Sequence, residues 1–293
     1  MKWLMDILRG MVIGIANIIP GVSGGTMAVS LGIYDTLIGA VSGIFKHFKK
    51  SILILLPLGV GMGVGIVGFG YGLEYLLDRW TLATCLVFVG LVLGGVPILY
   101  TRFREKIAQK PSKKIGAAEV LCLVLLLAFG VGMSLLQGGA ERTLTFGVGS
   151  MVLLFVLGVV ASATMVIPGV SGSMVLLVLG YYDSILGLIT GSVDALTGGD
   201  WQTLMHNMGM LIPFGVGVLL GIFGIAKLIE YLFGHFPSQT YAAILGLILS
   251  SPFAILYSSG AFGAFSWGGL VVGLVLGVAA AFVTLRMGQA EEA

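Results

Sequence analysis

The feature that most constrains this chain is a series of apolar runs, each about as long as a bilayer is thick. A hydrocarbon core of about 30 Å requires about 20 apolar residues per helix. Only 10% of the residues are charged, so little polar surface remains for a water-soluble domain. We therefore predict an all-α polytopic membrane protein, with spans near residues 52–77, 81–100, 117–136, 207–233, 239–257 and 267–286.

Charge and composition argue against several classes of function. The net charge of +2 gives no reason to expect a nucleic-acid partner. Cys85 and Cys122 each stand alone in an apolar segment, and the three histidines lack partners at metal-ligand spacing. We expect no metal site and no cofactor.

A six-residue signature, Ile-Pro-Gly-Val-Ser-Gly, occurs at 19–24 and again at 167–172, 148 positions later. The same displacement relates Gly-x-Tyr-Asp at 32–35 to Gly-x-Tyr-Asp at 180–183. Further along the chain the displacement becomes 156, and it relates the Glu-Tyr pair at 74–75 to the pair at 230–231. The chain is therefore predicted to contain two homologous repeats, residues 1–140 and 141–293.

Each signature interrupts an apolar region, at 9–45 in the first repeat and at 146–190 in the second. Pro-Gly ends a helix and leaves limbs of about ten residues, roughly 15 Å of helix, or half a bilayer. We predict that each repeat consists of a re-entrant helical hairpin followed by about three transmembrane helices. Hairpins that cross the whole membrane would also give each repeat an odd number of crossings. The prediction that the hairpins are re-entrant therefore rests on the length of their limbs.

Three crossings in each repeat would give the two repeats inverted topology, which is a recurrent plan of secondary transporters. With this topology all but two of the 15 basic residues, Arg79 and Arg142, fall on one side of the membrane. Because basic residues concentrate in cytoplasmic loops, both termini are predicted to lie in the cytoplasm.

The turn within each signature has the chemistry of an anion site. Glycines let the backbone approach a ligand closely, and the helix that follows presents free N–H groups and the positive end of its dipole. Two inverted turns would surround one phosphate. The alternative is that these small residues only let helices pack closely. The candidate phosphate ligands are Ser23, Gly24, Gly25, Thr26, Ser171, Gly172 and Ser173.

Charged residues near the signatures are further candidates. Arg9 precedes the first signature and would either extend to lipid headgroups as an anchor or recruit an anionic headgroup. Carboxylates that recur in both repeats are candidates for proton coupling, although the two aspartates also lie where a helix N-cap is expected. These carboxylates are Asp35, Asp183, Glu74 and Glu230.

The signatures resemble those of a known family. Ile-Pro-Gly-Val-Ser-Gly-Gly-Thr-Met with Leu-Gly-Ile-Tyr-Asp at 31–35, and the second copy with Leu-Gly-Tyr-Tyr-Asp at 179–183, resemble the PopT-type polyprenyl-phosphate transporter family over essentially the whole chain. The resemblance implies a flippase that returns undecaprenyl phosphate from the outer to the cytoplasmic leaflet of the bacterial inner membrane, driven by the proton-motive force. It implies a lipid substrate and no enzymatic activity. Association of several copies is compatible with the sequence.

Two alternatives stay open at this point. The BacA-type undecaprenyl-pyrophosphate phosphatases carry a similar Pro-Gly-x-Ser signature, but an arginine follows their serine. This chain has Gly24 and Gly172 at those places, which removes a cation that would stabilise developing charge during hydrolysis. The other alternative is a carrier or channel for small anions.

Overall fold

The computed structural model describes residues 2–18, 22–136 and 142–292, and its regular structure in these residues is helical throughout. The order of the helices is α1 (Lys2–Ile18), α2 (Gly24–Ser30), α3 (Tyr34–Ser42), α4 (Phe48–Ala108), α5 (Ala117–Leu135), α6 (Val148–Val166), α7 (Gly172–Val178), α8 (Tyr182–Gly198), α9 (Trp201–His235), α10 (Pro237–Ser258) and α11 (Trp267–Glu292).

Seven helical segments in the described residues are long and apolar enough to cross a membrane. Helix α4 contains two of them, Phe48–Gly70 and Tyr75–Ala108, and its backbone leaves helical geometry at Trp80. Four more are α5, α9, α10 and α11, which overlap the expected spans, and the seventh is α6. The chain is thus an all-helical polytopic membrane protein, as its apolar runs predict.

The limb that leads into each signature is longer than expected. Helix α1 has 17 residues and α6 has 19, or about 26 and 29 Å of helix, where the sequence analysis expects about ten residues. Pro-Gly follows the end of each of these helices in sequence, and each helix extends further in the N-terminal direction than the sequence analysis expects. The limbs that follow the signatures, α2 and α7, have seven residues each.

Residues related by the two sequence displacements have similar backbone conformations. Gly32 ends the segment after α2 with φ +73°, and Gly180, 148 positions later, ends the segment after α7 with φ +81°. Trp80 has φ −135° and ψ 41°, and Phe236, 156 positions later, has φ −132° and ψ 53°. Both repeats therefore break their helices at equivalent residues, which supports the duplication.

The described residues form two compact units. Unit 1 contains residues 1–135, 167–170 and 226–293, and unit 2 contains residues 136–166 and 171–225. The buried core of unit 2 includes Leu154, Leu157, Leu176 and Met210.

In unit 1, α1 and α4 approach each other at glycines. A β-carbon built on Gly10 would overlap the carbonyl oxygen of Leu58, and one built on Gly61 would overlap that of Ile7. Such contacts are typical of membrane helices, where small residues let two backbones come close.

Unit 2 repeats this interface between α6 and α9. A β-carbon built on Gly158 would overlap the carbonyl oxygen of Phe214, and one built on Gly217 would overlap that of Phe155. These four residues are the equivalents of the α1–α4 residues at displacements of 148 and 156. The duplication therefore extends to the packing between helices.

Two further interfaces in unit 1 pair a helix of one repeat with a helix of the other. Gly246 of α10 packs against the backbone of Leu123 in α5, and Gly90 of α4 packs against that of Gly277 in α11. Gly90 and Gly246 are themselves equivalent positions. The last helix of each repeat thus packs on the other repeat.

The glycine contacts predict that alanine substitutions at two neighbouring positions of α4 have different effects on the stability of the protein. Gly61→Ala should lower the thermal unfolding midpoint of the purified protein in detergent, because an overpacked interface costs about 1–3 kcal/mol. Gly63→Ala is the matched control, since a β-carbon there meets open space and alanine favours the helix. Equal midpoints for the two variants would show that α1 and α4 are not in close contact.

Candidate functional site

The first tip, residues 22–26, is held by hydrogen bonds between its own side chains. Ser23 is the N-cap of α2, and its Oγ accepts the backbone N–H of Thr26 at 3.1 Å. The hydroxyl oxygens of the two residues lie 2.9 Å apart, and either can donate. Residues 19–21 of the signature lie outside the described residues.

Thr26 also joins the first tip to the second signature. Its Oγ1 accepts the backbone N–H of Gly169 at 2.7 Å, and Gly169 has a φ of +81° that favours glycine. Both residues belong to unit 1. Thr26 is fully buried and Ser23 nearly so. In this arrangement the hydroxyls of the first tip face the protein, and their contact with phosphate stays a prediction.

The second tip, residues 171–174, is more accessible. Helix α7 begins at Gly172 with Ser171 as its N-cap, whose side chain makes no capping hydrogen bond. The hydroxyls of Ser171 and Ser173 lie 2.8 Å apart, and Ser173 is exposed. Because a hydroxyl can rotate to donate, both can turn toward an anion.

The glycine after the serine has close neighbours in both tips, and in the second tip the neighbour is backbone. A β-carbon on Gly172 would lie 2.5 Å from the carbonyl oxygen of Ala161, within the backbone of the preceding helix. A β-carbon on Gly24 would lie 3.0 Å from Oδ1 of Asn17. The sequence analysis does not select Asn17. Asn17 is the one residue with an amide side chain in the last turn of α1, and its equivalent in the second repeat is Met165. This difference between the repeats is the sequence signal that could have identified it.

Arg9 is buried inside unit 1. Its guanidinium lies 3.4 Å from Asp6 Oδ1, and it also donates to the carbonyl oxygen of Met287 at 3.4 Å. It is nine residues before the end of α1, or about 14 Å along the helix. Its role in binding phosphate stays a prediction.

The alternative that Asp35 and Asp183 are N-caps is wrong. The N-caps of α3 and α8 are Ile33 and Tyr181, and neither makes a side-chain capping bond. The aspartates lie inside the first turn, where the helix dipole favours a negative charge. The expectation misplaces these N-caps by two residues because the positive-φ glycines end the preceding turn early.

Asp35 is used instead for a contact between the repeats. The Tyr241 hydroxyl of α10 donates to Asp35 Oδ2 at 2.7 Å. The two residues are 206 positions apart, so no local pattern could have identified Tyr241.

A polar cavity of about 240 Å³ brings two proton-coupling candidates together at this contact. Asp35 and Glu230 both line it, together with Lys106 and Tyr241. Glu230 is also paired with Lys227 at 2.9 Å. Asp183 belongs to unit 2, and the side chain of Glu74 lies outside the described part of the chain.

The bond from Gly169 gives Thr26 a testable structural role. Thr26→Val removes the acceptor and leaves a buried N–H unpaired, which should destabilise the protein by about 1–3 kcal/mol. Thr26→Ser keeps the hydroxyl and is the matched control. A thermal unfolding midpoint in detergent that falls for valine and recovers with serine is expected; equal midpoints would contradict the bond.

Comparisons with known proteins agree with the signatures. A family model described as VCA0040-like, undecaprenyl phosphate translocase-like, matches residues 13–262. A Staphylococcus aureus (strain NCTC 8325 / PS 47) protein named polyprenyl-phosphate transporter is 31% identical over 257 residues, which cover 87% of this chain and 86% of the relative. A Vibrio cholerae serotype O1 (strain ATCC 39315 / El Tor Inaba N16961) protein of the same name is 36% identical over 72 residues, 19% of this chain and 23% of the relative. No solved structure matches the chain. Since the family model spans both signatures and most of the sequence, the chain belongs to the undecaprenyl phosphate translocase-like family.

Proposed function

We propose that this chain carries polyprenyl phosphate, with undecaprenyl phosphate as its lipid, from the outer to the cytoplasmic leaflet of the bacterial inner membrane. One observation carries the proposal: the family match runs from residue 13 to residue 262 and so includes both signatures and the Asp35–Tyr241 pair. The proposed orientation has both termini in the cytoplasm, where the positive-inside rule puts them.

The second tip supplies suitable chemistry for the phosphate. Ser171 and Ser173 offer two neighbouring hydroxyls, and Gly172 keeps the backbone free of a side chain. Hydrogen bonds from such donors to a charged phosphate are stronger than those between neutral groups.

The first tip would bind phosphate only after a rearrangement. Its candidate ligands are Ser23, Gly24, Gly25 and Thr26, and in the described arrangement the Thr26 hydroxyl holds Gly169. We infer that this arrangement is the closed form of the first tip and that release of Gly169 frees the hydroxyls. Exchange between open and closed forms of discontinuous helices is the basis of alternating access.

Transport is favoured over hydrolysis by the packing around the glycines. An arginine at position 172 would have to displace the backbone of α6, since even a β-carbon there lies too close to Ala161. At position 24 a side chain would meet Asn17. The second tip therefore has no room for the arginine that follows the serine in the BacA-type phosphatases.

Proton coupling is proposed to act through the polar cavity. Protonation of Asp35 would replace a hydrogen bond to a charged carboxylate with a weaker one and so loosen the contact between α3 and α10. Protonation of Glu230 would break its pair with Lys227. Because the two acids lie in different repeats, proton binding could change how helices of the repeats pack.

The transport proposal is tested in liposomes with a fluorescent polyprenyl phosphate and a reagent that quenches only the outer leaflet. The wild-type protein should move the lipid without releasing inorganic phosphate. The double variant Ser171→Ala, Ser173→Ala should slow transport about tenfold or more, since each hydrogen bond to a charged group is worth about 1.5–3 kcal/mol.

Thr197→Ala, on the exposed surface of α8, is the control for that double variant and should transport normally. Absence of lipid movement by the wild-type protein would refute the function. Phosphate release from polyprenyl pyrophosphate would establish a phosphatase in its place.

The coupling proposal makes a separate prediction. The wild-type rate should rise when a proton gradient is imposed, and Asp35→Asn and Glu230→Gln should remove that rise because neither amide can bind the proton. Asp194→Asn, another exposed carboxylate variant, is the control and should respond as the wild type does. A full response in both cavity variants would show that the coupling groups lie elsewhere.

A further inference from the structure

Glu119, in the first turn of α5, is a carboxylate with only 1% of its surface exposed. Lys110 Nζ and the Ser238 hydroxyl donate to its Oε1 at 2.7 and 2.8 Å, and the backbone N–H of Gly116 donates to its Oε2 at 2.9 Å. The Ser238 hydroxyl also lies 3.0 Å from Gln239 Oε1, but the carboxylate is the nearer and the stronger acceptor. Neither the signatures nor the proposed transport function gives Glu119 a role.

The hydrogen bonds of this carboxylate fix the positions of three helices. An apolar side chain that packs well is often as stabilising as a buried ion pair, so stability alone is a weak reason for burying a charge. Hydrogen bonds add direction, because they form only over a narrow range of distances and angles. The bonds to Glu119 form only when the segment after α4, the start of α5 and the start of α10 occupy fixed relative positions within unit 1.

The bond from Ser238 connects Glu119 to the polar cavity that contains Asp35. Ser238 is the second residue of α10, and Tyr241 lies three residues later on the same face of the helix. Pro237 and Tyr241 both line the cavity, where the Tyr241 hydroxyl donates to Asp35. A shift of the first turn of α10 would therefore move Tyr241 relative to Asp35.

Lys110 provides a second connection to the same cavity. Lys106 lines the cavity near the end of α4, and Lys110 follows four residues later. One short stretch of chain therefore carries one ammonium group to the cavity and another to Glu119.

The first repeat lacks the serine that makes this connection. Thr240, which donates to the carbonyl oxygen of Phe236 at the helix break, has its equivalent in Thr84, which also donates to a carbonyl oxygen. Ser238 instead corresponds to Leu82, which has no polar side-chain group. The break itself therefore requires the threonine and does not require the serine.

We propose that Glu119 is a positioning residue for proton coupling, which fixes the first turn of α10 and so holds the Tyr241 hydroxyl on Asp35. The proposal rests on the transport function proposed above and adds a residue to its coupling site. Glu119 acts through Ser238 and Tyr241, and it binds neither the lipid nor the transported proton.

A double-mutant cycle in liposomes tests this connection. Ser238→Ala removes the bond to α10 and leaves Glu119 bonded to Lys110 and Gly116. It should lower the rise in transport rate caused by a proton gradient about threefold to tenfold. Tyr241→Phe should lower it at least as much, and the double variant should be no worse than Tyr241→Phe alone, because residues that act through one contact are not additive. Additive losses would overturn the proposal.

Two controls separate positioning from a general loss of stability. Ser238→Thr keeps the hydroxyl and should restore the response to the gradient. Ser112→Ala, at an exposed serine of the α4–α5 loop, should leave the response unchanged. If Ser238→Ala slows transport equally with and without the gradient, the serine serves only the fold and the proposal fails.

Glu119 itself is tested by Glu119→Gln. An amide oxygen is a weaker acceptor than a carboxylate for both Ser238 and Lys110, so the response to the gradient should fall at least as far as in Ser238→Ala. In the Tyr241→Phe background, Glu119→Gln should cause no further loss. An unchanged response in the single variant would overturn the role of Glu119.

Failure of this proposal is distinguishable from failure of the proposed function. If the wild-type protein moves no polyprenyl phosphate, or moves it without any response to the gradient, the function or its coupling fails. The same cycle, read as thermal unfolding midpoints in detergent, then decides whether Ser238 and Tyr241 act through one contact. If the wild-type protein responds to the gradient but the losses are additive, transport and coupling stand and only the role of Glu119 is lost.

Discussion

Hydrogen bonding of interrupted helices is the constraint on which this structure depends. In a bilayer, a break in a helix leaves backbone groups that neither lipid nor water can satisfy. At three of the breaks described here hydroxyls pair with backbone groups: Ser23 and Thr26 at the first tip, Thr84 at the α4 kink, and Thr240 at the kink before α10. These residues are polar members of an otherwise apolar sequence because the breaks require them.

Equivalent positions of the two predicted repeats break their helices in unlike surroundings. Trp80 and Phe236 share a backbone conformation, yet an apolar cavity lies beside one and a charged cavity beside the other. In the same way, Ser23 is buried while its counterpart Ser171 is partly accessible.

The sequence predicts the helical class, the spans and the positions of the breaks because each depends on local chemistry. Apolar run length determines where helices can cross, and Pro-Gly and Gly-x-Tyr-Asp determine where they end. The lengths of the limbs before the signatures are not predicted in this way, since the sequence analysis expects about ten residues whereas α1 has 17 and α6 has 19.

Contacts between distant segments are equally beyond a local pattern. The Gly169–Thr26 bond spans 143 positions and the Tyr241–Asp35 bond spans 206, and each depends on how helices of different repeats pack. Asn17 and Tyr241 are ordinary residues in sequence, and only their neighbours in space make them candidates for function. The phosphate ligands proposed from the signature remain predictions for the same reason: their environment is set by tertiary structure.

The exchange of helices between repeats has a consequence for how the chain is made. Helix α5 leaves the ribosome long before α10, yet its close backbone contact is with Gly246 of that later helix. Likewise α4 must wait for α11, whose Gly277 it meets at Gly90. The first repeat therefore completes its packing only after α10 and α11 have been inserted.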